Sequence, residues 1–353
     1  MRQMTMRERI LAVVRDQGPE RVPFVNYEGL AAPNDEVWGL IGRENMGLLR
    51  WSAVHRLEHP GCRWESEQCE RDGRRALRNR IRMPKGVIEE TRLYQDDLGV
   101  WAAAEHFVKQ PADYGVLLEW LRDTVVVDDT DRFRRDETEL GDDGLPHVGT
   151  DRTPFQQLWI QWVSIDRLCL DMIDCPDLVH ACMDEMGRIL REQFTLAARS
   201  GAPYVCVPDN ITAPVIGERY FRQYCVPWYD ELAAMLPEDV PVFVHMDGDL
   251  KPLWGAVAES GVRGLDSMSP PPDNDTSVAD AVREWPQMRL FVNFPSSVHI
   301  ASPERIREVT LGLLEEGAHT GRLEIQVSEN VPPGAWRTSY PAIVGAIEEF
   351  GQV

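Results

Sequence analysis

The stretch PVFVHMDGDL, residues 241–250, runs from β-prone apolar residues straight into His245, Asp247, Gly248 and Asp249. A short apolar run of this kind reads as a strand buried on both faces, and such strands belong to parallel sheets flanked by helices. The pattern recurs. PYVCVPDN (203–210) ends in Asp209 and Asn210, and VRGLDSMS (262–269) carries Asp266 and Ser267. MRLFVNFP (288–295) ends near Asn293, and RLEIQVSEN (322–330) ends in Ser328, Glu329 and Asn330. Near the start, RVPFVNYEG (21–29) ends in Asn26, Tyr27 and Glu28.

Helical segments separate these strands. SPERIREVTLGLLEEG (302–317) has Ser302 as cap, Pro303 in its first turn and Gly317 as stop. DCPDLVHACMDEMGRILREQFTLAARSG (174–201) is a long helix between Asp174 and Gly201, and the segment 216–236 is helical with a break at Pro227. Strand–helix alternation implies a parallel sheet. An α/β fold follows: a (β/α)8 TIM barrel, whose strand ends converge on one face where active sites sit. An open doubly wound sheet is the alternative, but neither GxGxxG nor GxxxxGK[ST] is present to support nucleotide binding.

The N-terminal part departs from this rhythm. Thr5, three residues before Glu8, has capping-box spacing and opens a helix bearing Ile10, Leu11, Val13 and Val14. A polar helical stretch is expected to about residue 60. Residues 63–108 alternate around a Pro-Lys-Gly turn and predict an inserted antiparallel hairpin at the barrel rim. Residues 110–123 read as a helix, and 125–149 as a charged, exposed connection ending in the strand candidate PHVGT. The whole, 1–353, is expected to be a single barrel domain.

At 353 residues and 43% apolar content the chain suits one large α/β barrel. A net charge of −21 argues against a nucleic-acid partner. No apolar run approaches the roughly 18 residues of a membrane span, and the N-terminus lacks a signal-peptide core, so a cytoplasmic protein is expected. Seven cysteines without paired spacing read as reduced thiols.

The segments MRERILAVVRDQGPERVPF, MPKGVIEE, DMIDCPDLVHACMDEM, YFRQYCVPWYDELAAML, PVFVHMDGDLKPL, GLDSMSPP, LFVNFP and SPERIREVTLGLLEEG, in this order, resemble the uroporphyrinogen decarboxylase superfamily over nearly the full chain. The resemblance implies a (β/α)8 barrel with its pocket at the strand C-termini, and a homodimer. Tetrapyrrole decarboxylases of that superfamily place a basic loop after the first strand. Here NYEGLAAPNDEVWG offers no arginine between Arg21 and Arg43, so the resemblance is closer to the cobalamin-linked methyltransferases. In their thiol-methylating members zinc sits on a His-x-Cys pair and a later Cys. His245, Asp247 and Glu329 stand at those positions, so the resemblance implies a metal site with carboxylates in place of thiolates.

One imidazole and two carboxylates still bind zinc, and also admit manganese or iron(II). They leave a stronger Lewis acid, suited to polarising an oxygen. The expected activity is metal-assisted methyl transfer between a small, oxygen-linked methyl donor and a corrinoid. That corrinoid is expected on a separate protein, since the chain has no DxHxxG signature. Asp209, Tyr27 and Glu28 are the candidate catalytic residues. Asn210, Trp159, Trp162, Asp266 and Asn293 are the candidate substrate-binding residues. Structural roles compete with each: an Asx turn at Asp247–Gly248, helix caps at Asp209, Asn210 and Glu329, core packing at the tryptophans. His299 and His319 read as surface residues flanking helices. Two other functions stay open: a metal-free carboxy-lyase, which requires Arg43, Arg263 or Arg337 to face the pocket, and a non-catalytic corrinoid- or tetrapyrrole-binding barrel, in which His245, Asp247 and Glu329 do not converge.

Overall fold

The computed structural model describes residues 3–96 and 99–352. Eight strands form one sheet: β1 (Phe24–Tyr27), β2 (Gly47–Ser52), β3 (Gly144–Val148), β4 (Val205–Val207), β5 (Val242–His245), β6 (Val262–Met268), β7 (Arg289–Asn293) and β8 (Leu323–Val327). Their order is β4-β5-β6-β7-β8-β1-β2-β3, with every pairing parallel. The two edges meet at a Gly149–Cys206 bridge, where the Thr150 N–H donates to the Cys206 carbonyl at 3.1 Å. The sheet therefore closes on itself as the (β/α)8 barrel the sequence predicts. Among the described residues no helix is long and apolar enough to cross a membrane.

Contacts divide the chain into two compact units. One comprises Met1–Val54, Asp129–Thr150 and Ala197–Val353, and it holds all eight barrel strands. The other comprises His55–Asp128 and Asp151–Leu196. Within the second unit the expected turn at Pro84–Lys85 joins two strands, Arg74–Met83 and Gly86–Gln95. Two further strands, Arg63–Arg71 and Val100–Glu105, extend that hairpin to a four-stranded antiparallel sheet. The outer strand Arg63–Arg71 has no buried residue, so it shows no hydrophobic alternation in sequence. The helical stretch expected to residue 60 is corrected: it ends at Ile41, and β2 follows.

Side chains alternate along each barrel strand, so every second residue points inward. At the strands' N-terminal level the interior is apolar. Val25, Leu49, Leu145, Tyr204, Phe243 and Phe291 form one cluster with Ile10, Val13 and Val14 of the helix Met6–Val14. That helix starts at the predicted capping box, Thr5 with Glu8, and seals this end of the barrel. Gly264 on β6 leaves room for the Phe243 ring, which a Cβ there would meet at 2.4 Å.

One residue of β8 breaks the apolar pattern. Glu324, paired in register with Phe291, is fully buried, and among the described residues neither carboxyl oxygen has a hydrogen-bond partner. Burial and the nearby Asp266 push its pKa well above the ordinary range, so the group is held neutral. An unpaired buried carboxyl costs stability. Glu324→Leu, close in volume, is therefore expected to raise unfolding free energy by roughly 1–3 kcal/mol in urea titrations. Above the ordinary glutamate pKa the unfolded chain releases a proton that the folded chain retains, so wild-type stability falls with pH. The variant's advantage should grow as pH rises. An unchanged or lowered midpoint would show that Glu324 has a partner in solution.

Candidate active site

Directly above the apolar level, the inward residues of the same strands are polar and converge on Asp266. Its Oδ2 accepts from the Tyr27 hydroxyl at 2.6 Å and lies 2.7 Å from His245 Nδ1. Its Oδ1 accepts from Gln326 Nε2 at 3.0 Å. His147 Nε2 and Cys206 Sγ approach Oδ2 at 3.5 and 3.9 Å, and His147 Nδ1 meets the Tyr204 hydroxyl at 2.6 Å. Six strands thus contribute to one buried network.

Backbone irregularity makes the convergence possible. The β6 register slips between Leu265 and Met268, and Ser267 takes a positive φ of 61°. A bulge of this kind re-aims side chains. Here Asp266 and its neighbour Ser267 both reach Tyr27 and Gln326. Asn210, after β4, also has a positive φ, 50°, and donates to Asp247 Oδ2 at 2.8 Å. Strained conformations of this type persist where surrounding contacts over-determine them. Gly248 completes the arrangement: a Cβ there would meet Thr212 Cβ at 2.3 Å and its Cα at 2.8 Å, so only glycine lets the loop after β5 lie this close.

His245 sits between two carboxylates. Nδ1 faces Asp266 and Nε2 faces Asp247 Oδ2 at 3.5 Å. Burial alone would depress its pKa, but the two carboxylates outweigh it and push the imidazole up to about 10. Burial likewise opposes ionisation of Asp266, yet His147 and His245 hold it well below the usual range. Asp247 is also lowered, with His245 and Asn210 overcoming burial. At neutral pH the centre is an imidazolium between two carboxylates.

Glu329 lies apart from this pair. It accepts from the Ser269 and Ser296 hydroxyls at 3.3 and 3.2 Å, and burial and the Asp247 charge raise its pKa. Among the described residues, His245, Asp247 and Glu329 do not have donor atoms all within 4.8 Å of one another. The trio that does is His147, Cys206 and Asp266.

The other candidate residues are placed as follows. Tyr27 is in the network through its hydroxyl. Glu28 is outside it, held by Arg50 at 2.6 and 2.9 Å. Asp209 is buried and accepts from the Tyr229 hydroxyl. Asp266, expected to touch substrate, is fully buried and engaged within the protein. Asn293 accepts from the Ser328 N–H and hydroxyl at 3.0 Å each. Trp159 and Trp162 belong to the second unit, on a π-helical turn Leu158–Trp162. There Trp159 donates to Gln156 at 2.7 Å, and Trp162 packs against Phe107 and Trp120. His319 is exposed as expected, but the surface reading of His299 is corrected. That ring is buried against Ser339 at 2.8 Å, and burial lowers its pKa to about 4. The network residues without a signal at a strand end were His147, Cys206, Tyr204 and Gln326. Tyr204 directly precedes β4 and the other three lie inside their strands. The period of two, counted back from Asn210 and Ser328, points inward to Cys206, Tyr204 and Gln326.

A family model described as uroporphyrinogen decarboxylase (URO-D) matches residues 139–349. Among solved structures, the chain is similar to a methyltransferase from Methanosarcina mazei, with a TM-score of 0.58 and 16% identity over 99% of each chain. At that identity the likeness is one of fold. An L-Ala-D/L-Glu epimerase (TM-score 0.24, 11% identity, covering 77% of this chain and 75% of its own) is far less similar. So is a mandelate racemase/muconate lactonizing enzyme-like protein from Rubrobacter xylanophilus (TM-score 0.22, 13% identity, covering 78% and 87%). Neither carries an argument about this chain. No curated protein matches it in sequence.

Proposed function

The chain belongs to the uroporphyrinogen decarboxylase family, and from that premise we propose that it is a metal-assisted methyltransferase acting between a small oxygen-linked methyl donor and a corrinoid on a separate protein. The observation that carries this reading is the line Asp247–His245–Asp266. A buried carboxylate on one imidazole nitrogen, leaving the other to face a second ligand-type group, is the arrangement by which proteins orient a metal-binding histidine.

The donor chemistry fits a divalent ion. His245 Nε2 and Asp247 Oδ2 are 3.5 Å apart, a spacing that two ligands of one ion adopt when each is about 2.1 Å from it. Glu329 is the third donor in this proposal: burial and, after it, the Asp247 charge raise its pKa, and a cation would offset both. Zinc is the first choice, with manganese or iron(II) admitted by the oxygen-rich set. When bound, the ion supplies Lewis acidity toward the donor's oxygen. The protein's own groups set the geometry. Asp266 fixes the His245 ring, Tyr27 and Gln326 fix Asp266, and Asn210 fixes Asp247.

The carboxy-lyase alternative needs cations at the pocket, and its three candidates lie elsewhere. Arg43 pairs with Asp143, Arg337 pairs with Glu36, and Arg263 bonds the Ser260 and Val262 carbonyls. One observation favours a non-catalytic corrinoid-binding barrel: Glu329 stands off from His245 and Asp247. The assay that separates the two supplies zinc-reconstituted protein with cob(I)alamin and, in turn, an aryl methyl ether, methanol and a methylamine. The proposal expects cobalamin methylation with an oxygen-linked donor. Binding of corrinoid without methylation from any donor would transfer the case to the binding barrel.

Proton release gives a second test. A metal requires neutral His245, whereas the apo ring stays protonated up to about pH 10. Metal binding should therefore expel about one proton, and its affinity should rise about tenfold per pH unit between roughly 6.5 and 9. Calorimetry in buffers of different ionisation enthalpy measures both. A pH-independent affinity would place the metal away from His245.

A further inference from the structure

The strands' other ends carry a second feature, independent of the proposed methyl transfer. β5, β6 and β7 begin at Val242, Val262 and Arg289, and a cleft of about 730 Å³ opens there, lined by Arg15, Arg263 and Arg289 with Gln287, Glu238 and Asp239. His245, Asp266 and Asn293 lie toward the opposite ends of the same three strands.

The charge state of this cleft is unusual for the molecule. The chain has 58 acidic residues against 37 basic ones, and many of its arginines are ion-paired, as Arg50 is to Glu28 and Arg307 to Glu349. Among the described residues, Arg15, Arg263 and Arg289 form no ion pair, although Glu238 and Asp239 line the same cleft. Arg289 is half-buried; burial lowers its pKa, the nearby Asp16 opposes the shift, and Arg322 and Arg263 add to it. Asp16 is taken up by Arg322 at 3.0 Å, so the three arginines of the cleft share the place without a carboxylate partner of their own among the described residues.

Contacts to backbone carbonyls account for part of this. Arg263 Nη1 donates to Ser260 and Val262 carbonyls at 2.8 and 2.7 Å, and Arg289 Nε donates to the Val14 carbonyl at 3.0 Å. Each contact occupies one nitrogen of a guanidinium that carries five N–H donors. Among the described residues, nothing engages the remaining donors of either, or any donor of Arg15. Guanidinium forks match the paired oxygens of phosphate and carboxylate. A concavity of this size lies within the roughly 300–1,000 Å³ typical of small-molecule sites. A macromolecular acid would face the −21 charge of the whole protein, whereas a small anion meets only the local field.

We infer that this cleft at the N-terminal strand ends is a second ligand site, one that takes a compact polyanion bearing at least two phosphate or carboxylate groups. The test is calorimetric titration of the full chain with inorganic pyrophosphate and, separately, citrate, at about 150 mM KCl. One-to-one binding of at least one probe is expected, and the stronger arm identifies the anion chemistry. Arg15→Ala and Arg263→Ala, both at exposed positions, should each weaken it about tenfold or more. Arg305→Ala, on the exposed face of another helix, should leave it unchanged, and so should His245→Ala, which excludes chelation at the other end of the barrel. The inference is overturned by absence of saturable binding of either probe. It is equally overturned by affinity within about twofold of wild type in a folded Arg15→Ala/Arg263→Ala double variant, or by loss of binding in His245→Ala shown by circular dichroism to be folded.

Discussion

Asp266→Ala is expected to lower unfolding free energy by roughly 3–5 kcal/mol, the cost of removing one member of a buried ion pair and stranding the other. The carboxylate is fully buried and holds Tyr27, His245 and Gln326 at 2.6, 2.7 and 3.0 Å. Without it, a buried imidazolium and two donors lose their acceptor together. The pH dependence follows from the two shifts. Asp266 is depressed in the folded state, so its contribution is present above the ordinary aspartate pKa and fades in acid. His245 is raised to about 10, so its contribution is complete below about pH 6.5 and is lost as pH climbs toward 10. The gap between wild type and variant should therefore be widest between about pH 4 and 6.5. Urea unfolding across that range measures it. Asp266→Asn, which keeps shape and loses charge, should fall between the two and return the His245 pKa toward that of ordinary imidazole by NMR. A variant as stable as wild type at pH 5 would contradict the network.

His245→Ala is expected to reduce methyl transfer by at least about 10³-fold and to leave the purified protein without stoichiometric metal. Both effects have one source, since the ring is the link between the buried Asp266 and the outward-facing Asp247. Asp266 also loses a cationic partner, so activity must be read on protein shown by circular dichroism to be folded at the assay temperature. Added imidazole, sized to the vacated space, should restore part of the activity, which a purely structural lesion would not permit. Retention of activity within tenfold, with metal still bound, would remove His245 from the mechanism.

Much of the barrel was legible because its strands advertise themselves: a continuous apolar run, then a polar end, then a capped helix. β2 was not. Its GLLRWS has two apolar residues followed by Arg50, which reaches back to Glu28, Asp136 and Glu139, so the segment reads as polar. At the site, His245, Asp247, Asn210 and Tyr27 were found as strand-end residues, and the structure joins them. The partners that decide their charge were harder to find. His147 precedes Val148 and Gly149 in an unremarkable strand, Cys206 looks like core, and Gln326 sits between Ile325 and Val327. What makes them polar-network members is the closing of the barrel, which brings together strands far apart in sequence. Glu329 shows the converse: its strand-end position is right, but Ser269 and Ser296, on other strands' loops, determine where its carboxyl rests.

The two-residue alternation of β8 limits how such a protein can change over generations. Glu324 and Gln326 face the interior while Leu323, Ile325 and Val327 face the helices. A single-codon insertion or deletion within Leu323–Val327 would not nudge Gln326; it would exchange it for an aliphatic side chain and turn the polar residues out against the helix layer. Lineages carrying this barrel are therefore free to alter the identity of inward residues and the length of the loops beyond the strand ends. The strand lengths themselves are closed to gradual adjustment, so new substrate preferences arise through those inward residues and loops.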